Sequence, residues 1–166
     1  MSHAITVRLF KPDEWALYKK VRLRALQSDP AVFGSHHAKE AAYDDKKWRE
    51  DLLKTDLGVF GVFDGEKLVG MTGVYISKED ATSAGFWGSW LEKSYRRKGL
   101  SRDMYAARLA WARARPDVRR IVISHRENNA ASKGANRKHG FVFTHTEERT
   151  WHDGATEAEH FYELRL

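Results

Sequence analysis

The sequence predicts a protein that contains both helices and strands, of class α/β (α+β). One mixed central sheet is expected to be flanked by helices. Strand-like and helix-like segments follow each other in the order β-α-α-β-β-β-α-β-α-β-β. In addition, a short basic turn connects an extended segment to the longest segment with a helical pattern. Helices and strands that alternate in this way bury their apolar faces by packing the helices against a sheet. The length of 166 residues is that of a single domain, which we expect to span residues 1–166.

The first half of the chain is predicted to contain a strand, two helices and a hairpin. The predicted elements are a strand over Ala4–Phe10, a helix over Asp13–Ser28, a helix from Asp44 or Asp45 through Leu53 with Trp48, Leu52 and Leu53 inward, and strands over Leu57–Phe63 and Lys67–Ser77. Pro12 suits the start of the first helix, and Pro30 lies beyond its end. Asp64-Gly65 joins the two strands and is a strong hairpin signal.

The second half alternates strands and helices before a final hairpin. Leu100, Met104, Ala107, Trp111 and Ala114 recur at spacings of four, three, four and three, which is one face of a helix. Pro116 then ends this helix near Arg115. The other predicted elements are strands over Ala84–Leu91 and Arg120–His125, a helix before Gly140-Phe141, and two strands separated by His152-Asp153-Gly154, the second ending in Phe161–Leu164.

The basic turn is the run Arg96-Arg97-Lys98-Gly99-Leu100-Ser101, which leads into the long helix. The first amides of a helix lack partners within it, and the helix dipole places partial positive charge there. Gly99 keeps the backbone accessible, while the arginines, Lys98 and Arg102 add charge and donors. These features together predict a site for a pyrophosphate.

The basic turn resembles the acetyl-coenzyme A loop of the GCN5-related N-acetyltransferase (GNAT) family, which reads Arg/Gln-x-x-Gly-x-Gly/Ala. Here the run is Arg96-x-x-Gly99-x-Ser101, with serine as a small departure. A second family pattern follows in the expected order, as Asn129-x-x-Ser132 and then Gly140-Phe141. The likeness is strongest over residues 84 to 143, and elsewhere it lies in the order of the elements. It implies a GNAT-type acyl-CoA N-acyltransferase fold, with a mostly antiparallel sheet, in a single N-acetyltransferase domain.

The resemblance also implies the co-substrate, acetyl-CoA, and the residues that hold it. Family members bind the pantetheine through main-chain groups where the fourth and fifth strands diverge, which would be Trp90 and Leu91 here. Asn129 would contact the cofactor or cap the following helix. The implied cofactor-binding residues are Trp90, Leu91, Arg96, Arg97, Lys98, Gly99, Leu100, Ser101, Arg102 and Asn129.

Two catalytic positions are expected from acyl transfer, which must remove a proton from the amine and stabilise the departing thiolate. Many family members carry a tyrosine acid where this chain has Asn136, which can donate a hydrogen bond but no proton. The thiolate could also leave without assistance. His125, at the end of the fifth strand, is the first candidate base, against a purely packed or exposed histidine, a water chain, or a carboxylate of Glu79, Asp80 or Glu92.

The acceptor pocket of this family lies between the first helices and the final hairpin. The connection Asp29–His37 resembles that of small-molecule members, so Phe33, Trp48 and His36 are expected to contact a small primary amine. His36 and His37 could instead be an exposed loop pair. Other functions left open are a protein or peptide N-terminal or lysine acetyltransferase of the same fold, a non-catalytic CoA-binding sensor and a nucleic-acid-binding module.

The amino-acid composition limits the kinds of chemistry and binding partner that we expect for this protein. The chain has no cysteine, which excludes a thiol nucleophile, and we expect no metal. The net charge of +6 comes from 29 basic and 23 acidic residues that are interleaved, so a phosphorylated cofactor explains the basic turn better than nucleic acid does. No apolar run approaches the roughly 20 residues that span a bilayer, so we expect a cytoplasmic protein without membrane contact. The resemblance also allows a homodimer.

Overall fold

A computed structural model describes residues 4–166, so residues 1–3 of the expected domain lie outside the described part. One mixed sheet and five α-helices make up this part. The strands are β1 (Ile5–Leu9), β2 (Leu57–Asp64), β3 (Lys67–Ile76), β4 (Ser83–Leu91), β5 (Arg120–Arg126), β6 (Val142–Thr150) and β7 (Thr156–Arg165). The helices are α1 (Trp15–Ser28), α2 (His37–Ala41), α3 (Asp45–Asp51), α4 (Leu100–Arg113) and α5 (Ala130–Lys138).

The described sheet has seven strands in the order β1-β2-β3-β4-β5-β7-β6. Five of its six neighbouring pairs are antiparallel, and β4 and β5 form the parallel pair. The predicted class, a mixed and mostly antiparallel sheet flanked by helices, is therefore confirmed. The hairpin at Asp64-Gly65 is also present, with Asp64 opposite Lys67 and Gly65 at a φ of 60°.

Helices cover both faces of the sheet. On one face, α1 and α3 pack Tyr18, Leu26 and Trp48 against the sheet. On the other face, α4 packs Tyr105 and Trp111. Short polar side chains begin two of the helices: the Asp44 carboxylate caps α3, and Asn129 caps α5 by accepting from the Ser132 amide at 3.1 Å.

The region between α1 and α3 differs from the prediction. A 3-10 turn over Pro30–Val32 and the short helix α2 replace the expected loop. Helix α2 is held by Glu40, which is 8% exposed and accepts two hydrogen bonds of 2.9 Å from the buried Arg22 guanidinium of α1. Leu53, expected to face inward, is 66% exposed because α3 ends two residues before it.

Candidate active site

The site lies where β4 and β5 separate. Their pairing ends at Gly85 and Val122, and beyond this point the two strands diverge. The register between β3 and β4 also shifts between Met71 and Gly73, and Gly88 of β4 has a φ of 68°. A bulge of this kind bends a strand locally. A cavity of about 740 Å³ opens between the separated strands, α4 and α5.

This cavity brings together most residues expected to bind the cofactor or act in catalysis. The predicted residues that line it are Trp90, Leu91, Arg96, Arg97, Gly99, Leu100, Ser101, Asn129, His125, Asn136 and Phe33. Lys98 and Arg102 are exposed neighbours outside the lining. His36 and Trp48 are outside it too, and the structure does not bring them to the site.

The reasons for these two exceptions are local. The Nδ1 atom of His36 accepts from the Lys39 amide at 3.3 Å and caps α2. Trp48 is 1% exposed, because its ring packs edge-on against Tyr18 at 5.1 Å within the core beneath α1. The acceptor assignments of His36 and Trp48 are therefore not supported by the geometry.

The basic turn forms the mouth of the cavity and begins α4. Gly99 is the N-cap residue and has a φ of 77°, in the left-handed region that side chains disfavour. Arg97 also has a positive φ, of 61°. The first amides of α4 and the exposed charges of Arg97, Lys98 and Arg102 therefore surround one end of the cavity. This arrangement fits a pyrophosphate, and Gly99 leaves open space beside the backbone.

Arg96 has a structural part in the same turn. Its Nε donates to the Leu91 carbonyl at 2.8 Å, and its guanidinium pairs with Asp29 at 2.8 Å. The same carboxylate accepts from the Trp90 indole at 2.7 Å. Partial burial acts to raise the pKa of Asp29, but the hydrogen bonds from Arg96 and Trp90 lower it overall. Asp29 thus joins the end of α1 to the end of β4 and to the turn.

We expect Asp29→Asn to weaken CoA binding by about tenfold, because the amide keeps the size of the side chain but loses the charge that holds Arg96 and the turn. Calorimetric titration with CoA measures the change. Asp45→Asn is the matched control, since Asp45 makes an exposed pair with Lys19 on the surface. An unchanged CoA affinity in Asp29→Asn would show that the turn holds its shape without this carboxylate.

The inner end of the cavity is lined by Phe86, Tyr105, Arg108 and Asn136. The Tyr105 hydroxyl donates to Asn136 Oδ1 at 2.6 Å. Asn136 Nδ2 and Arg108 Nη1 are both buried without a hydrogen-bond partner in the described structure. Burial lowers the pKa of Arg108 to about 10, so the guanidinium is charged at neutral pH. These residues form a polar group within an otherwise aromatic end of the cavity.

His125 lies between two cavities. It lines the large cavity and also a second one of about 300 Å³, whose lining includes Glu127, Lys133 and Tyr162. Its Nδ1 lies 2.8 Å from the Arg126 carbonyl, so Nδ1 carries the hydrogen and Nε2, at 3.1 Å from the Tyr162 hydroxyl, is the basic nitrogen. Burial lowers the pKa of His125, and His160 and Lys133 add to the shift.

The connection after α1 is tied to the tip of the β6–β7 hairpin by three side chains. Arg126 of β5 bridges the two segments, because it donates to the Ala31 carbonyl at 3.1 Å and to the Asp153 carboxylate at the tip at 2.7 Å. Arg149 donates to the Gly34 carbonyl at 3.2 Å. His152 Nε2 lies 2.9 Å from the Pro30 carbonyl. These contacts cover the side of the site on which Phe33 lines the cavity.

Comparison with known protein families identifies the fold. The model for the acetyltransferase (GNAT) domain matches residues 5–142. The chain belongs to the GNAT acetyltransferase family. It is therefore an N-acetyltransferase by membership, which confirms the resemblance carried by Arg96, Gly99 and Asn129. Comparison with curated protein sequences finds no significant match.

Three solved structures with the same fold illustrate the range of proteins that this chain resembles. A GNAT acetyltransferase from Streptococcus pneumoniae is 18% identical, with a TM-score of 0.82 over 98% of this chain and 100% of that one. The Salmonella typhimurium enzyme that modifies the N-terminal serine of ribosomal protein L7/L12 is 16% identical (TM-score 0.74; 99% and 96% covered). Spermidine N-acetyltransferase from Vibrio cholerae, solved with CoA and spermine, is 13% identical (0.77; 97% and 95%). A further structure with this fold, from Salmonella typhimurium, holds acetyl-CoA, and the Vibrio cholerae enzyme holds CoA.

Two features of the described residues concern membranes and metal ions. No helix within residues 4–166 has the length and hydrophobicity needed to cross a bilayer. No three His, Asp or Glu side chains in the same part of the chain converge as a ligand set for a metal ion.

Sequence reasoning missed Asp29 and Arg108 as parts of the site. The sequence shows Asp29 only as the residue before Pro30. Its role could not be predicted, because its partners Trp90 and Arg96 are more than 60 residues away in the chain. Arg108 carried a clearer signal, since it lies four residues after Met104 and three before Trp111, on the apolar face of α4. A charged residue at an inward position is itself a sign of function.

Proposed function

We propose that this protein transfers the acetyl group of acetyl-CoA directly to a primary amine of a small molecule. The supporting observation is one continuous cavity, with the basic turn at its mouth and the separation of β4 and β5 within it. Acetyl-CoA supplies the activated acyl group as a thioester. The chain supplies an anion site at the N-terminus of α4, free strand edges for the pantetheine, and an enclosed place for the reaction.

The proposed donor contacts follow the cavity from the turn inward. The amides from Gly99 to Ser101, with Arg97 and the exposed Lys98 and Arg102, bind the pyrophosphate. The β4 edge near Trp90 and Leu91 faces the pantetheine. Two of the expected contacts have a supporting role instead, because Arg96 is engaged with Asp29 and Leu91 and because Asn129 caps α5.

The covered acceptor side favours a small amine over a polypeptide. The three ties from Arg126, Arg149 and His152 join the connection after α1 to the hairpin tip. A peptide would need an open groove across this side, whereas a compact amine needs only a pocket against Phe33.

In this proposal His125 removes the proton that the amine must lose on attack. Its Nε2 is the basic nitrogen, and its position between the two cavities suits the transfer of a proton away from the reacting groups. The Tyr162 hydroxyl lies 3.1 Å from Nε2, and Tyr162 lines the second cavity.

The pH dependence of the rate tests this role. Because burial lowers the pKa of His125, activity should fall with an acid limb below pH ~6.5, where the protonated imidazole can no longer accept a proton. His125→Gln should reduce kcat by about 100-fold and remove that limb. His145→Gln, at an exposed histidine of β6, is the control. If His125→Gln keeps the wild-type pH profile, a water chain accepts the proton.

The proposed function as a whole is tested by release of free CoA thiol from acetyl-CoA across amino acids, polyamines, aminoglycosides and short peptides. Saturable release with one small-amine class supports it. Turnover only with peptides would favour the alternative of a protein or peptide N-terminal or lysine acetyltransferase, a class that includes the L7/L12 enzyme of the same fold. Tight CoA binding with no turnover on any acceptor would favour a CoA sensor.

We further propose that the enzyme acts in the cytoplasm, where CoA thioesters are available, and that it forms a homodimer. Val142 and Phe143 on the edge strand β6 are 68% and 49% exposed, and apolar residues on an open edge suit a protein contact. Sedimentation velocity measures the state directly, and a monomer at micromolar concentration would contradict the dimer.

A further inference from the structure

Arg108 is a buried positive charge that has no counter-ion among residues 4–166. It lies on α4, is 1% exposed, and its Nε donates to the Met104 carbonyl at 3.2 Å. Its guanidinium lies between two rings, 4.1 Å from the centroid of Phe86 and 4.7 Å from that of Tyr105. Among residues 4–166, no carboxylate lies within ion-pair distance of it, and Nη1 has no hydrogen-bond partner. This is an unusual environment, because buried arginines normally pair with an acid.

The free energy of this charge depends on what enters the cavity. Contacts with the faces of two aromatic rings offset part of the desolvation cost, but Nη1 is left without an acceptor. A negative charge that arrives at the inner end of the cavity would therefore be stabilised strongly. A neutral group at the same place would gain much less.

Asn136 supplies a second unpaired donor at the same end. It is 1% exposed, and burial raises the pKa of Tyr105, so the tyrosine hydroxyl stays protonated and donates to Asn136 Oδ1. That hydrogen bond leaves Asn136 Nδ2 as the free group, and it has no partner in the described structure. Asn136 and Arg108 both line the large cavity, so two buried donors without partners lie in the wall of one binding space.

The proposed reaction creates negative charge at the thioester, first on the carbonyl oxygen when the amine adds and then on sulfur when the C–S bond breaks. The phosphates of CoA belong to the basic turn at the mouth. In acyl transfer the amine nitrogen forms a bond to the thioester carbon, the amine proton passes to the base, and the C–S bond breaks. The electron pair of that bond leaves on sulfur, so the product is an amide and a CoA thiolate. The thioester sulfur is neutral before this step and negative after it.

We propose that Arg108 and Asn136 together stabilise the CoA sulfur as a thiolate when it leaves the acetyl group. This inference rests on the proposed function. It gives the chain an electrostatic substitute for an acid at position 136, since neither side chain needs to transfer a proton. The charge of Arg108 acts on the developing thiolate and hardly on the neutral thioester, so it lowers the barrier and not merely the free energy of binding.

Binding of CoA and of desulfo-CoA, which lacks the sulfur, tests the proposal without any acceptor. A free thiol ionises with a pKa of about 8.5, and each unit by which the protein lowers this pKa makes the thiolate bind about tenfold more tightly. We expect calorimetry from pH 6 to pH 8.5 to show CoA affinity rising about tenfold relative to that of desulfo-CoA. Parallel pH profiles for the two ligands in the wild-type protein would overturn the proposal.

Substitutions then assign the effect to Arg108. Arg108→Met keeps an unbranched, flexible side chain and removes the charged guanidinium. It should abolish the pH-dependent advantage of CoA, leave desulfo-CoA affinity within twofold, and reduce kcat by about 100-fold. Arg108→Lys should retain part of the advantage, and Arg113→Met, at an exposed position of the same helix, should retain all of it.

Two results would assign Arg108 a different role. Equal weakening of CoA and desulfo-CoA by Arg108→Met would make it a purely structural residue. A preference for succinyl-CoA over acetyl-CoA that disappears in Arg108→Met would show that the guanidinium binds a carboxylate on the acyl group. Because these titrations need no amine, an unknown acceptor leaves them unaffected, and failure of the acetyl-transfer assay alone does not imply failure of this test.

Discussion

Gly99→Glu is expected to weaken CoA binding by about 100-fold. Gly99 has a φ of 77°, and a residue with a side chain is disfavoured in this conformation by roughly 1–2 kcal/mol. The glutamate would also place a negative charge at the N-terminus of α4, beside the expected pyrophosphate, and repel it. No atom lies within 4 Å of a Cβ added here, so the loss would come from conformation and charge and not from a steric clash. Calorimetric titration with CoA measures it.

Two variants separate these causes. Gly99→Ala adds only the conformational penalty, so its loss of affinity should be about tenfold or less. Gly134→Glu adds the same charge to α5 at a glycine that also has open space around it and should bind CoA normally. Full CoA affinity in Gly99→Glu would contradict the placement of the phosphate site at this turn.

Glu40→Ala is expected to lower the free energy of unfolding by about 3 kcal/mol. It removes the carboxylate that accepts two hydrogen bonds from Arg22 and leaves the arginine buried at 6% exposure without a partner. The Arg22 guanidinium also lies 5.2 Å from the ring centroids of both Phe33 and Trp87. Loss of the ion pair should therefore also disturb the packing of these two rings, which line the cavity. For a chain of this length the melting temperature should fall by roughly 6–12 °C, measured by calorimetry.

Glu50→Ala is the matched control for this prediction. Glu50 pairs with Lys46 at 3.7 Å on the surface, and an exposed pair of this kind contributes at most about 0.5 kcal/mol. Replacing both members of the buried pair, as Arg22→Met with Glu40→Leu, should restore much of the stability because neither charge is then left alone. A melting temperature unchanged by Glu40→Ala would show that water reaches Arg22 in the native state.

Periodicity and turn chemistry were sufficient to predict the order of the described strands and of the described α-helices other than α2. The apolar spacing of α4 predicted a helix that begins at Leu100, as the structure shows, and the Asp64-Gly65 turn predicted the hairpin. These signals are local, because a helix face or a tight turn is determined by residues a few positions apart. The short helix α2 escaped prediction, because its contact with α1 depends on an ion pair between residues 18 positions apart.

The sequence by itself therefore determined the family, the fold class and the position of the basic turn before α4, since the signals for each depend on residues close together in the chain. Tertiary structure alone decided which side chains meet at the site. It placed Trp48 in the core, engaged Arg96 with Asp29, and put Arg108, which has no counter-ion in the described part of the chain, in the wall of the same cavity as Asn136. The physical reason is that burial and pairing are properties of the packed molecule: an arginine's electrostatic environment is set by which groups surround it, and those groups come from distant parts of the chain.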